Sequence, residues 1–285
     1  MVIKSPAKIN LALQINGLRD DGYHLLRMVN LPLELHDVIE IDTSPYYGVT
    51  HITCDEMRLL GLRSNLCTRA VDLLRDHFHF KNHFMIHIHK EIPFAAGLGG
   101  GSSNAAVVLI ALNKMLKLGL TEDQLCELAL PLGSDIPFFI RGGSALAEGI
   151  GDKLTPIHPK KQYGCLLIKP DAGLSTKDVY LRCDDFDRLP IDIDNVVKGL
   201  EEGDEELIAK SFGNDLYPAS CALLPEVKDV VDTLRADGFP LAAMSGSGSC
   251  CFALSTDMKK LKAEEKKFEK KGYDTILTHT LLTHL

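Results

Sequence analysis

Three features of the sequence predict an α+β protein arranged in two halves. Segments with strand alternation and segments with helical periodicity follow one another along all 285 residues. The early strands are "KINLALQING", "DVIEIDT" and "FMIHIHKEI", whereas two strand-helix units follow in succession towards the end and fit a small α+β sandwich. Between them "TPIHPKKQYG", residues 155 to 164, interrupts the pattern with prolines and lysines and predicts a linker, which sets the halves at 1–158 and 159–285.

The first strand ends at the polar, glycine-punctuated "GLRDDGYH". "SNLCTRAVDLLRDHF" has helical spacing, with Leu66, Ala70, Leu73 and Leu74 on one side. A further helix begins near Ser102, runs to about Lys117 and is stopped by Gly119. "TEDQLCELALPLG" opens on a capping box, Thr121 with Gln124 three residues on. "PFFIRGGSALAEGIGDKL" predicts a pair of short strands with glycine turns. Beyond the linker come the strand "CLLIKP", helices at "EEGDEELIAKSF" and "PEVKDVVDTLRADG", and the strand-loop-strand "LAAMSGSGSCCFAL". A charged helix over 258–271 and the strand "YDTILTHTLL" complete the chain.

A net charge of −8 argues against a nucleic-acid or anionic-membrane partner, since both take basic surfaces, but leaves room for a local pocket that holds a small anion. No apolar stretch approaches the ~20 residues of a membrane span, and "MVIKSPAKIN" has no signal-peptide core, so a cytoplasmic protein is expected. The cysteines are scattered without a CxxC pair, which predicts buried, reduced thiols. Histidine clusters in "HFHFKNHFMIHIHKEI", where alternation puts His83, His87 and His89 on one strand face. Three imidazoles can bind zinc, yet no carboxylate or cysteine shares that alternation. An outward polar face explains the pattern as well, so no metal ligand is assigned.

The most informative stretch is "PFAAGLGGGSSNAA", residues 93 to 106, in which glycine fills four of the five positions from Gly97 to Gly101. Glycine lets backbone approach a ligand closely and turn its N–H groups inward, and the following helix adds the positive end of its dipole. Both favour a polyphosphate, with serine hydroxyls available to phosphate or magnesium. One or two glycines would suit a tight helix-strand crossing; four followed by two serines and a helix point to a phosphate loop. It is not a Walker A loop, because no lysine lies between Lys90 and Lys114. Nor does it fit the dinucleotide fingerprint, which places an acidic residue about 20 positions further on.

The loop is similar instead to the second motif of the GHMP kinases, P-x-x-x-G-L-G-S/G-S-S-A/N. "SPAKINLAL" at 5–13 resembles their first motif, and "AMSGSGSCCFAL" at 243–254 their third glycine-rich motif, in family order across nearly the whole chain. The resemblance implies a two-domain GHMP kinase fold, an N-terminal ribosomal-protein-S5-like domain and a C-terminal ferredoxin-like α/β sandwich, with the active site in the cleft between them. Within that superfamily "AKINLAL" followed by "RDDGYHLL", together with "GSDIPFF" at 133–139, resembles the branch that uses ATP to phosphorylate the 2-hydroxyl of a cytidine diphosphate-linked methylerythritol.

On that resemblance ATP is held by Pro93, Phe94, Ala95, Ala96, Gly97, Leu98, Gly99, Gly100, Gly101, Ser102 and Ser103, with Ser245, Gly246, Ser247 and Gly248 as the third glycine motif. Magnesium is implied, its ligands unassigned. Asp135, by itself a turn former or cap, falls where relatives keep the catalytic aspartate, and Lys8 lies beside it, where its charge favours the carboxylate and the developing alkoxide. Asn10 is expected to bond the substrate hydroxyls. Tyr23 would stack on cytosine, His24 read its edge through a backbone or imidazole hydrogen bond, and Tyr180 form the opposite wall. Two departures stand out: "RMVN" puts Met28 or Val29 where some relatives carry a second aromatic, and Ala95 and Ala96 stand where further glycines occur. Two other readings stay open, a homoserine or mevalonate type of kinase and a non-catalytic nucleotide sensor. A sensor should have lost the base or the lysine, and both are present.

Overall fold

The computed structural model describes residues 1–44, 50–55 and 65–282. Its first sheet is organised by two strands far longer than the alternating segments, β1 (Val2–Leu18) and β2 (His24–Thr43). They pair antiparallel from Val2↔Glu40 to Leu18↔His24, with register shifts at Pro6/Lys8, Asn10/Ala12 and Ile15/Gly17. Their middles do not alternate because Ala7 through Leu13 are buried at every position. The other edge of β2 is shared end to end. β5 (Ser144–Gly149) takes Leu26–Asn30, and β4 (Phe84–His89) takes Val38–Thr43. β6 (Lys153–Ile157) flanks β5, and β3 (His51–Cys54) runs parallel to β4.

Helices cover one face of this sheet. α1 (Leu66–Phe78) is capped by Asn65, whose side chain accepts from the Cys67 N–H, and it buries Cys67, Ala70, Val71 and Leu74. Ser64, where the helical pattern was read to begin, lies outside the described residues. α2 (Gly100–Met115) starts inside the glycine run rather than near Ser102. α3 (Glu122–Ala129) carries the capping box of Thr121 and Gln124. "IPFFIR", read from its sequence as part of a strand pair, is instead α4 (Ile136–Arg141), with Pro137 in the first turn where its missing N–H costs nothing. Only "SALAEG" and "KLTPI" make the two strands. The latter also corrects the linker: residues 155–157 belong to β6, an edge strand that tolerates Pro156, and the chain crosses between sheets over 158–163.

The second sheet has the order β10-β7-β9-β8, built from β7 (Gly164–Lys169), β8 (Leu241–Met244), β9 (Cys251–Ser255) and β10 (Asp274–His279), all antiparallel. Around it lie α5 (Thr176–Arg182), α6 (Ile193–Glu202), α7 (Glu205–Ser211), α8 (Tyr217–Leu223), α9 (Glu226–Ala236) and α10 (Met258–Lys270). "EEGDEELIAKSF" is therefore not one helix: α6 ends on Gly203 at φ 73°, and Asp204 caps α7 by accepting from Glu206 and Leu207. Cys67, Cys126, Cys165, Cys183, Cys250 and Cys251 are buried free thiols, as the missing CxxC pairs predict. Among the described residues no helix is long and apolar enough to cross a membrane.

Two features tie the elements together. Ile9, Leu31 and Leu33 of the first sheet pack in one apolar cluster with Leu167, Leu241 and Phe252 of the second. Asp37, fully buried on β2, accepts hydrogen bonds from Lys90 Nζ (2.7 Å), Glu91 N (2.9 Å), Ile92 N (2.8 Å) and Asn104 Nδ2 (2.9 Å). It thereby clamps the end of β4 and the start of α2. Asp37→Ala would strand the nearly buried Lys90 ammonium and two backbone donors, and breaking a buried pair costs about 3–5 kcal/mol. Urea denaturation should show that loss; a change under about 1 kcal/mol, the size of an exposed pair, would refute the clamp.

Candidate active site

The glycine loop enters α2 through Gly99, which adopts a left-handed φ of 73° and makes no side-chain cap; the first helical turn holds no acidic residue. The amides that open α2 thus stay available to an anion, in the field of the helix dipole. A Cβ on Gly99 would stand 2.7 Å from Phe139 Cζ, so only glycine fits there. Gly97 is tighter still: at φ 74°, its Cβ would lie 2.2 Å from the Ser245 carbonyl oxygen. The second and third glycine motifs therefore touch backbone to backbone. Ser245 Oγ accepts from the Asn10 N–H at 3.2 Å and donates to the Gly97 carbonyl at 3.0 Å. Asn214 Nδ2 donates to the Met244 and Gly246 carbonyls at 3.0 and 2.8 Å and braces the third motif from behind.

These contacts wall a cleft of ≈ 510 Å³ lined by parts of all three motifs, with Lys8, Asn10 and Asp135 among its residues. Lys8 is 4% exposed, and its Nζ donates to Asn10 Oδ1 at 2.6 Å and lies 3.7 Å from Asp135 Oδ2. Asp135 immediately precedes α4, yet its side chain makes no cap hydrogen bond, so the carboxylate is not engaged in the turn. It is about one third exposed, open to a ligand. Both amide hydrogens of Asn10 are already placed, on Asn30 Oδ1 at 2.6 Å and Met28 Sδ at 3.6 Å. The side chain expected to meet substrate hydroxyls lines the cleft and also fixes the lysine. Because Lys8 can only donate, Asn10 must turn its oxygen to it.

Most of the predicted residues meet here. Pro93 through Ser102, Tyr180, Gly246 and Ser247 line the cleft. Ser103 does not; it is fully buried and its hydroxyl accepts from Ser5 Oγ at 2.7 Å, since the fourth residue of α2 faces the sheet. Tyr23 sits on the turn before β2 with 64% of its surface exposed. His24 turns Nε2 to Asp184 at 3.0 Å and packs its ring 5.3 Å from that of Tyr180. Of the backbone or imidazole edge expected to read a base, the imidazole Nε2 is thus engaged by a carboxylate. Burial, then the charge of Asp135, pushes the Tyr180 phenol well up, so it stays protonated at neutral pH.

Lys90 and Asn30 escaped the sequence reading. Lys90 Nζ would be 3.4 Å from a Cβ on Gly100, so the ammonium that Asp37 holds stands beside the start of α2, outside the quoted glycine motif. Asn30 reaches Asn10 only through the pairing of β1 with β2, register Asn10↔Asn30. Thr176 Oγ1 meets Ser247 Oγ at 2.9 Å and joins α5 to the third motif.

The model of the GHMP kinases N terminal domain matches residues 65–143, and that of GHMP kinases C terminal matches 196–274. A 4-diphosphocytidyl-2-C-methyl-D-erythritol kinase of Clostridium perfringens (strain 13 / Type A) is 37% identical over 99% of this chain and 98% of its own. One of the same name from Geobacillus sp. (strain WCH70) is 40% identical over 89% of this chain and 88% of its own. A crystal structure of 4-(cytidine 5'-diphospho)-2C-methyl-D-erythritol kinase superposes with a TM-score of 0.81 at 29% identity, covering 98% of this chain and 99% of that one. The L. major mevalonate kinase in complex with R-mevalonate has a TM-score of 0.72 at 16% identity, covering 98% and 95%, and shares the fold alone.

The two loop glycines can be separated by experiment. Gly97→Ala forces a left-handed alanine against a carbonyl and should weaken binding of a non-hydrolysable ATP analogue at least ~tenfold. Gly101→Ala, whose Cβ would meet only Leu66 Cδ1 at an ordinary 3.7 Å, should keep the wild-type affinity. Isothermal titration of both variants decides it; equal affinities would detach the loop from phosphate binding.

Proposed function

The chain belongs to the GHMP kinases and, within them, to the 4-diphosphocytidyl-2-C-methyl-D-erythritol kinases, and on that footing we propose how its cleft acts. It phosphorylates the 2-hydroxyl of 4-diphosphocytidyl-2-C-methyl-D-erythritol with ATP, a step of the non-mevalonate route to isoprenoid precursors. The observation that carries the reading is the buried Lys8 beside the uncapped Asp135, in one cleft with the glycine loop.

Phosphoryl transfer asks a protein mainly for alignment and charge compensation. The amides at the start of α2 hold the triphosphate, and the Lys90–Asp37 ion pair fixes the chain on which α2 begins. Asp135 accepts the proton of the attacking hydroxyl, whose oxygen bonds the γ-phosphorus as the bond from that phosphorus to the β,γ-bridging oxygen breaks and ADP leaves. Lys8, held by Asn10 and through it by Asn30, offsets the negative charge that gathers on the attacking oxygen. Desolvation strengthens this interaction, and Lys8 is the more deeply buried of the pair. Ser102, a hydroxyl lining the cleft at the first turn of α2, is a hard oxygen donor of the kind magnesium takes beside phosphates and water. The ion would supply charge neutralisation there.

Tyr180 supplies an aromatic wall inside the cleft, with His24 packed against it and Asp184 holding His24. Tyr23, exposed on the turn before β2, is the second ring offered to the base. A nucleotide sensor of this fold is disfavoured by the intact Lys8–Asp135 contact.

Asp135→Asn keeps the shape but cannot take the proton. Turnover should fall at least ~10²-fold with both substrates bound nearly as before. Steady-state kinetics checks this, and more than half of wild-type turnover would remove Asp135 as the base. Replacing Tyr180 or Tyr23 by Ala should act chiefly on KM for the cytidyl substrate, since stacking is worth ~1–3 kcal/mol per base, roughly a five- to 150-fold loss in kcat/KM. Michaelis curves with cytidyl and uridyl substrates identify the ring that stacks; a variant with unchanged KM excludes its ring from the pocket.

A further inference from the structure

The apolar side of β4, Phe84, Ile86 and Ile88, is buried in the core, and His87 and His89 stand half-buried on the opposite face. The alternation of the sequence puts His83 with them. In the structure His83 precedes β4 and takes no part, and a carboxylate that the local pattern lacks arrives from another strand. β3 pairs parallel with β4, Thr53↔His87 and Cys54↔Ile88, and the Asp55 N–H donates to the Ile88 carbonyl at 3.3 Å. That register sets Asp55 beside both imidazoles.

We propose that Asp55, His87 and His89 form a binding site for a divalent transition metal of the zinc type. Asp55 Oδ1 lies 3.0 Å from His87 Nε2, and Asp55 Oδ2 lies 3.3 Å from His89 Nδ1. One ligand atom from each residue can be chosen with all of them within 4.8 Å of one another. Zinc bonds of ~2.0–2.1 Å set tetrahedral ligands about 3.3 Å apart, so the donors need little movement to close on an ion. The far nitrogens are also placed. His87 Nδ1 meets Thr53 Oγ1 at 2.7 Å, and His89 Nε2 meets Glu40 Oε1 at 3.3 Å. Each ring is thus held through the nitrogen away from Asp55, the arrangement that fixes tautomer and orientation in metal-binding histidines. Two imidazoles and a carboxylate leave a position for water, and imidazole selects zinc, nickel or copper over magnesium. A bound ion would pin the end of β3, a four-residue edge strand, to β4.

A second cluster, His24, Cys183 and Asp184, must be told apart from this one. The full-length chain, stripped of metal by a chelator, is titrated with zinc chloride at pH 7.5 against a chromophoric chelator. One equivalent should bind, and its affinity should fall at least ~tenfold in His87→Ala and in the near-isosteric Asp55→Asn, whose fold is checked by circular dichroism. Zinc should raise the melting temperature of wild type and not of either variant. The cobalt-substituted protein should show d–d bands without a thiolate charge-transfer band. Unchanged affinity in both variants overturns the proposal, as does a thiolate band or loss of the equivalent in Cys183→Ser alone.

Discussion

One buried hydroxyl holds the cleft together. Ser245 Oγ takes the Asn10 N–H from the first motif and gives its proton to the Gly97 carbonyl of the second, while itself belonging to the third. Segments more than two hundred residues apart in sequence thereby share one bond pair. The geometry requires two backbones to approach until a single methyl group would not fit between Gly97 and Ser245. The phosphate loop is therefore shaped from outside as much as by its own glycines. Its left-handed turns at Gly97 and Gly99 are costly to order in isolation; the third motif holds the first through the Gly97 carbonyl, and Phe139 leaves no room for a side chain at the second.

The same economy governs the Lys8 ammonium. A cation with 4% exposure needs partners to offset lost hydration, and it finds one neutral oxygen and one carboxylate. The neutral partner is close and the charged one more distant. This leaves the carboxylate free on its cleft side while its counter-charge stays fixed. Behind it, both amide hydrogens of Asn10 are directed, one of them to Asn30, so the lysine has little freedom to wander.

Much of this was legible in the sequence where the signal is local. The capping box at Thr121, the glycine run and the order of the three motifs are short-range patterns, and the structure realises each. The misreadings share a cause. β1 and β2 lose their alternation where both faces are buried, α4 hides its helix in six residues dense with aromatics, and β3 is four residues long. Ser103 and His24 were placed by the family resemblance, but what their side chains bond is settled by partners far along the chain, Ser5 and Asp184. Asn30, Lys90 and Asp55 meet their neighbours through strand register or a folded-back side chain. No spacing rule reaches that far.

The apolar cluster that joins Ile9 and Leu31 to Leu167 and Phe252 has a consequence for how such a chain can change over evolution. The two sheets look like modules, but each lends the other part of its interior. A half transplanted onto a foreign partner would expose that interior unless the facing side chains travelled with it. Recombination at the crossing over 158–163 is thus constrained by side-chain shape, even though no regular structure is cut there. Inheritance of the two halves as a unit follows from packing, independently of any selection on the reaction.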